Sequence, residues 1–297
     1  LDEDALKIAL AQYPIGQFAS FKDWQANAAR WVADGAATGA TLLVFPEYGA
    51  MELTSLLPPE LQADLRAQIP ALGQFHDAFV AVYTDLAGKH GVHIVAPSLP
   101  VAVDGVIHNR AWLLSPSGDA AFQDKRQMTR FENEQWGVTA GDVLKIFDIG
   151  AAKIGIAICY DIEFPLIAHA MSEAGADLIL APSCTDTMAG ANRVHVGARA
   201  RALENQVYVA LSPTVGDAPW SPAVDENHGW AAVYATPDRG FPDDGILAKG
   251  ELDQPGWVTA DLDFDKLRAA RDTAQVFTRK DWDSQSRPSL TVTHTKF

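Results

Sequence analysis

The chain has 297 residues, 48% hydrophobic and 21% charged, which supplies a large core and excludes a disordered or fibrous chain. Its 23 Lys and Arg against 38 Asp and Glu leave a net charge of −15 with the acids scattered, so no nucleic-acid surface is expected. No stretch reaches the roughly 20 apolar residues of a membrane span, and Leu1-Asp2-Glu3-Asp4 is acidic where a secretory signal is basic. The expectation is a cytoplasmic protein that binds neither nucleic acid nor membrane.

In chain order, runs of β-branched and aliphatic residues predict strands over 6–11, 41–45, 92–96, 111–114, 154–158, 178–181, 207–211, 230–234 and 257–260. Helical spacing falls between them at 24–36, 61–89, 166–173, 191–205 and 265–274. Strands alternating with helices predict an α/β fold. No Ser/Gly/Pro linker interrupts the pattern, so residues 1–297 are read as a single domain, with a tail from about 279 to 297 lying across the body or a partner subunit.

A weak internal repeat refines this. Lys7-Ile8-Ala9-Leu10-Ala11 leads through a helix to Gly39-Ala40 and a strand ending at Pro46, and Lys153-Ile154-Gly155-Ile156-Ala157 leads to Gly175-Ala176 and a strand ending at Pro182. Two such units predict a pseudo-twofold arrangement of two stacked mixed sheets with helices outside.

Three residues at strand ends could carry chemistry. Cys159 follows an apolar strand and precedes a polar turn and a helix. There it is either a buried, inert thiol or a nucleophile whose thiolate is favoured by the helix N-terminus. Glu47, at the matching place in the first half, is either a loop or capping residue or a carboxylate held against a dry pocket. Lys125 is either solvated beside Asp124 or a compact positive charge for a developing oxyanion. Of the histidines, His90, His93, His169 and His195 lack a catalytic context. No His/Asp/Glu cluster has metal-ligand spacing and no Gly-rich phosphate loop is present, so neither metal nor cofactor is expected.

Phe45-Pro46-Glu47, Lys125 and Ile158-Cys159-Tyr160-Asp161, in this order, resemble the Glu-Lys-Cys triad of the nitrilase superfamily of carbon-nitrogen hydrolases. Asn109 before a strand, Gly141-Asp142, the segment 200–205 and the late strand near Gly256 extend the likeness over nearly the whole chain. The resemblance implies a four-layer αββα sandwich, usually dimeric, with Cys159 as nucleophile, Glu47 as general base and Lys125 stabilising the tetrahedral intermediate with the Tyr160 N–H. It implies a second glutamate between Lys125 and Cys159, and counting back from Gly141 favours Glu134 over Glu132.

The residues after Cys159 resemble amidase branches more than true nitrilases, which implies a small amide as partner and substrate, with nitrile or N-carbamoyl hydrolysis as the alternative. Glu163, where branches acting on dicarboxylate monoamides carry Arg, is expected to disfavour anionic substrates unless an Arg pairs with it. Cys184 is expected to be structural or to touch substrate, and the helix carrying Arg193, Arg199, Arg201 and Glu204 to pack on itself or at a dimer interface. A catalytically silent small-molecule-binding protein of the same fold is the alternative of another class.

Overall fold

The computed structural model describes residues 5–286 and 289–296; the acidic residues 1–4 and tail residues 287, 288 and 297 lie outside the described residues. Strand β1 (Ala5–Pro14), helix α1 (Phe21–Ala37) and strand β2 (Leu42–Val44) open the chain. Ser20 caps α1 by accepting the Asp23 N–H at 3.2 Å. One face of α1, Trp24, Ala28, Trp31, Val32 and Gly35, is buried at helical spacing.

The single helix expected over 61–89 is instead broken into α2 (Pro59–Gln62), α3 (Gln68–Leu72) and α4 (His76–His90). Pro70 brings no N–H, Gly73 ends α3, and the apolar period restarts only at α4. There follow β3 (His93–Val95), β4 (Leu99–Val103), β5 (Val106–Leu114), β6 (Ala120–Asp124), β7 (Ile146–Asp148), β8 (Lys153–Ile156), α5 (Pro165–Glu173) and β9 (Leu178–Ser183). The chain closes with α6 (Met188–Asn205), β10 (Tyr208–Val215), β11 (Ala232–Tyr234), β12 (Ile246–Lys249), β13 (Gly256–Asp263) and α7 (Phe264–Thr273). Asn109 lies inside β5 rather than before a strand.

The strands form one curled mixed sheet in the order β4-β5-β3-β2-β1-β10-β9-β8-β7, with β13 on β1, β6 on β5, and β11 and β12 extending from β10. β1 pairs in parallel with β2, connected through α1, and β8 pairs in parallel with β9, connected through α5. The halves join where Tyr13 and Pro14 pair with Thr214 and Val215. Side-chain alternation along β1 separates two cores. Leu6, Ile8 and Leu10 pack with β8, β9 and β10, whereas Ala9, Ala11 and Tyr13 pack with α1 and α4.

Within the tail, Arg279 donates to the Ser172 carbonyl at 2.8 Å and the Trp282 ring stacks on His169 at 4.1 Å, which lays this stretch on α5. Leu290 and Val292 beyond it are exposed. Among the described residues no helix is long and apolar enough to cross a membrane.

Candidate active site

Glu47 follows β2, Lys125 follows β6, and Cys159 opens a single 3-10 turn, Cys159–Glu163, just after β8. The Lys125 backbone is clamped on both sides: its N–H donates to the Asn109 carbonyl at 2.9 Å and its carbonyl accepts the Gly141 N–H at 2.8 Å. A Cβ on Gly141 would lie 2.7 Å from Asp124 Cβ, so only glycine permits this approach.

Asp161 ties the Lys125 loop to the cysteine turn. Its buried carboxylate accepts the N–H of Arg126 (3.1 Å), Gln127 (2.6 Å) and Ile158 (3.1 Å). Helix α6 closes on the same turn at Gly197, where a Cβ would stand 2.9 Å from the Ile162 carbonyl oxygen.

The side chains meet in a buried network. Lys125 Nζ donates to Glu47 Oε1 and to Glu132 Oε2, each at 2.7 Å. Asn109 Nδ2 donates to Glu47 Oε1 at 2.9 Å, and its own Oδ1 accepts the Ser98 hydroxyl at 2.6 Å. Glu47 Oε2 accepts the Cys184 N–H at 3.0 Å, and the Cys184 carbonyl receives the Cys159 thiol at 3.6 Å. Tyr48 donates its hydroxyl to Glu132 Oε1 at 2.6 Å, while Thr129 N–H and Oγ1 both reach Glu132 Oε2 at 2.9 Å.

Of the two glutamates expected on the loop, the structure brings Glu132 to Lys125 and leaves Glu134 outside, which corrects the sequence-based choice. Glu132 is 2% exposed, whereas the Glu134 side chain is 52% exposed and pairs with Arg130 at 2.8 Å. The cause is local. Residues Phe131–Trp136 form a π-helical turn closed by Gly137 N–H on the Glu132 carbonyl at 2.8 Å, and residues two apart on a helical turn face different sides, so only one of the two glutamates can meet Lys125.

Burial raises the Glu47 carboxyl to about 7, with Lys125 opposing and the Glu132 charge adding to the rise. Burial works against charge on Lys125, yet Glu132 and then Glu47 hold its pKa well above the ordinary value. For Glu132 burial is likewise outweighed, here by the Lys125 charge and hydrogen bonds, and its pKa is lowered.

Burial, and next the Glu47 carboxylate, push the Cys159 thiol well up. α5 begins only at Pro165, six residues on, so its N-terminus is outweighed by burial and by the nearer Glu47 carboxylate, and the thiol is favoured over the thiolate. Cys159 holds φ +48, a left-handed conformation at the start of the turn that lines the cavity.

The cavity, about 570 Å³, is lined by Glu47, Lys125, Glu132, Cys159, Tyr160 and Cys184 and opens past Glu163 and Arg193. Arg193 approaches Glu163 at 3.7 Å, and the Glu163 carboxyl is raised by burial against Arg193 and Lys125. The Cys184 thiol, pushed up to about 12 by burial and then Glu47, donates to Asn227. His90, His93, His169 and His195 do not line the cavity. His195 is packed flat on Trp230 at 3.8 Å.

Sequence reasoning missed Tyr48, Ser98, Thr129 and the tethering role of Asp161. The available signals were the adjacency of Tyr48 to Glu47 and of Asp161 to Cys159.

Residues 7–272 match the model of the carbon-nitrogen hydrolase family, and the chain belongs to that family. It is 34% identical over 277 residues to the probable hydrolase YhcX of Bacillus subtilis (strain 168), covering 93% of this chain and 53% of that protein. The chain thus spans about half the length of that relative. It is 24% identical over 294 residues to the human omega-amidase NIT2, covering 93% and 95% of the two chains. The structure of a carbon-nitrogen hydrolase from Helicobacter pylori G27 has the same fold, with TM-score 0.74 and 19% identity over 91% of this chain and 93% of that one.

Proposed function

We propose that the protein hydrolyses a small carboxamide to a carboxylic acid and ammonia through a thioester on Cys159. One observation carries this reading: a cysteine thiol, a buried carboxylate and a buried lysine line one cavity, with Lys125 Nζ 2.7 Å from Glu47 Oε1, and burial favours the protonated thiol and raises the carboxyl. Human NIT2, a relative of nearly equal span, bears the name omega-amidase.

Glu47 takes the thiol proton as Cys159 Sγ attacks the amide carbon, because the thiolate is not favoured beforehand. The carbonyl oxygen becomes negative and is held by Lys125 and the Tyr160 N–H. Glu132 keeps Lys125 charged and in place, and so positions it. Glu47 then gives its proton to the departing ammonia as the tetrahedral adduct collapses to the thioester. Water, deprotonated by the same carboxylate, attacks the thioester, and the thiol is regenerated with the acid. Cys184 holds Glu47 by its N–H and lines the substrate's path. Every step uses side chains and backbone of this chain, with neither metal nor organic cofactor.

The same reading takes the layers as αββα with a pseudo-twofold repeat, supported by the two cores on β1 and the paired β1-α1-β2 and β8-α5-β9 units. It takes the protein as a homodimer joined across α5 and α6, where Leu166, Val196 and Leu203 are exposed. Both cysteines are free, which suits a reducing, cytoplasmic compartment.

The test is intact-protein mass and ammonia release with a panel of amides, one nitrile and one N-carbamoyl compound, with Cys159→Ala as control. An acyl adduct absent from Cys159→Ala is expected. Ammonia release that survives the substitution sinks the mechanism, and a silent panel favours a binding protein. Sedimentation velocity tests the dimer.

A further inference from the structure

We infer that the cavity selects amides whose far end carries a positive charge, such as a protonated amine; this rests on the hydrolytic reading of Cys159 and names its substrate class. At the bottom of the cavity charge is close to balanced, since Lys125 faces Glu132 and the near-neutral Glu47 carboxyl. The rim is not balanced. Glu163, Asp186, Asp225 and Glu226 line it against Arg130 and Arg193.

Both arginines are already engaged. Arg130 is held by Glu134, which does not line the cavity, through hydrogen bonds of 2.8 and 3.1 Å, and Arg193 leans on Glu163 at 3.7 Å. No salt bridge among the described residues holds Asp186, Asp225 or Glu226; the Glu226 charge acts on His228, whose nearer partner is Asp253. The partly exposed rings of Phe131 and Tyr160 add faces that attract a cation. A ligand whose amide reaches Cys159 therefore leaves its other end in a negative field with aromatic walls.

Taking roughly 10 Å as the distance across such a cavity, each unpaired carboxylate is worth about a factor of two through water. Three give about eightfold for a cation over a neutral analogue, and about sixtyfold for a cation over an anion.

The experiment compares kcat/KM for γ-aminobutyramide, pentanamide and glutaramate, which share length and differ in charge. Ionic strength is set at about 20 and then about 500 mM, because salt screens this field. The cation-to-neutral ratio should be about eight at low salt, approach one at high salt, and drop to about two in Asp225→Asn/Glu226→Gln; the ratio within each protein is insensitive to overall activity. Equal rates for the three amides at low salt, a preference for glutaramate, or a preference unmoved by salt overturns the inference.

A second arm needs no turnover. Methanethiosulfonates bearing trimethylammonium or sulfonate are reacted with the protein, and labelling of Cys159 is separated from Cys184 by peptide mass. Faster labelling by the cation, lost at high salt, is expected, and faster labelling by the anion overturns the inference. If no amide is turned over while this arm behaves as expected, the hydrolytic reading fails and the field stands.

Discussion

Replacing Glu132 by Gln keeps the outline of the side chain and removes its charge, which isolates the electrostatic part of its hold on Lys125. At the observed 2.7 Å and an effective dielectric of about 20, the gross attraction is about 6 kcal/mol. Breaking a buried pair by removing one partner costs about 3 to 5 kcal/mol net. Gln retains an acceptor for Lys125 and Thr129 and can offer its amide to the Tyr48 oxygen, so about half of that, roughly 2 kcal/mol, is expected. Charged to the transition state, this lowers kcat/KM by about 30-fold; charged to folding, it lowers Tm by about 3 °C.

The sign of a third effect is fixed. Because the Glu132 charge helps to raise Glu47, its removal moves the acid limb of kcat/KM to lower pH. Glu134→Gln is the matched control, an exposed partner of an exposed Arg130, and should change kcat/KM by less than about twofold. Steady-state kinetics across pH with thermal melts decide the matter. A larger loss in Glu134→Gln than in Glu132→Gln, or an acid limb that does not move, refutes the assignment of Glu132.

With Glu47 raised to about 7, kcat/KM of the unmodified protein should fall on acidification with an apparent pKa near that value, and a limb near 4.5 would exclude Glu47 as the base. Glu52, buried among Tyr13, Trp24 and Gly16, is raised to about 8 by burial against the hydrogen bonds that those groups donate. The folded state then binds a proton that the unfolded state has released above its ordinary 4.5, so stability declines as pH rises between those values, by a few kcal/mol. Denaturant midpoints at pH 5.5 and 9 should differ less in Glu52→Gln, and an unchanged slope contradicts this. Asp161→Asn leaves at least one of the Arg126, Gln127 and Ile158 N–H groups unpaired, at about 1 to 3 kcal/mol. Melting temperature and kcat/KM should fall together; if neither moves, the tether is not structural.

Much of the site was legible because strand ends are local features. Glu47, Lys125 and Cys159 each follow an apolar or alternating run, and the two similar strand-helix-strand units mark where such ends recur. What lay beyond reach depends on geometry that sequence spacing does not encode. Counting from Gly141 cannot reveal which side of the helical turn over 131–136 faces the lysine, and there Glu132 rather than Glu134 meets it. Apolar period alone bridged 61–89, although Pro70 and Gly73 interrupt it. Strands β4, β6, β7 and β12 are short or partly exposed and carry too little apolar alternation to stand out. Thr129, Ser98 and Tyr48 act through partners 3, 11 and 84 residues away, and polar residues of these kinds are common in loops.

The close approach of α6 to the cysteine turn has a mechanical consequence. At Gly197 the helix backbone rests on the Ile162 carbonyl without an intervening side chain, while Val196, its neighbour in sequence, faces outward. A packed side chain would absorb small displacements by changing rotamer; bare backbone contact transmits them. Force applied to the outer face of α6 therefore reaches the Cys159–Glu163 turn at Ile162 and Glu163. On the proposed reading, with Cys159 as nucleophile and α6 at a subunit contact, the helix is a stiff strut between the two, and a loosened outer contact would register as a change in turnover before it registered as unfolding.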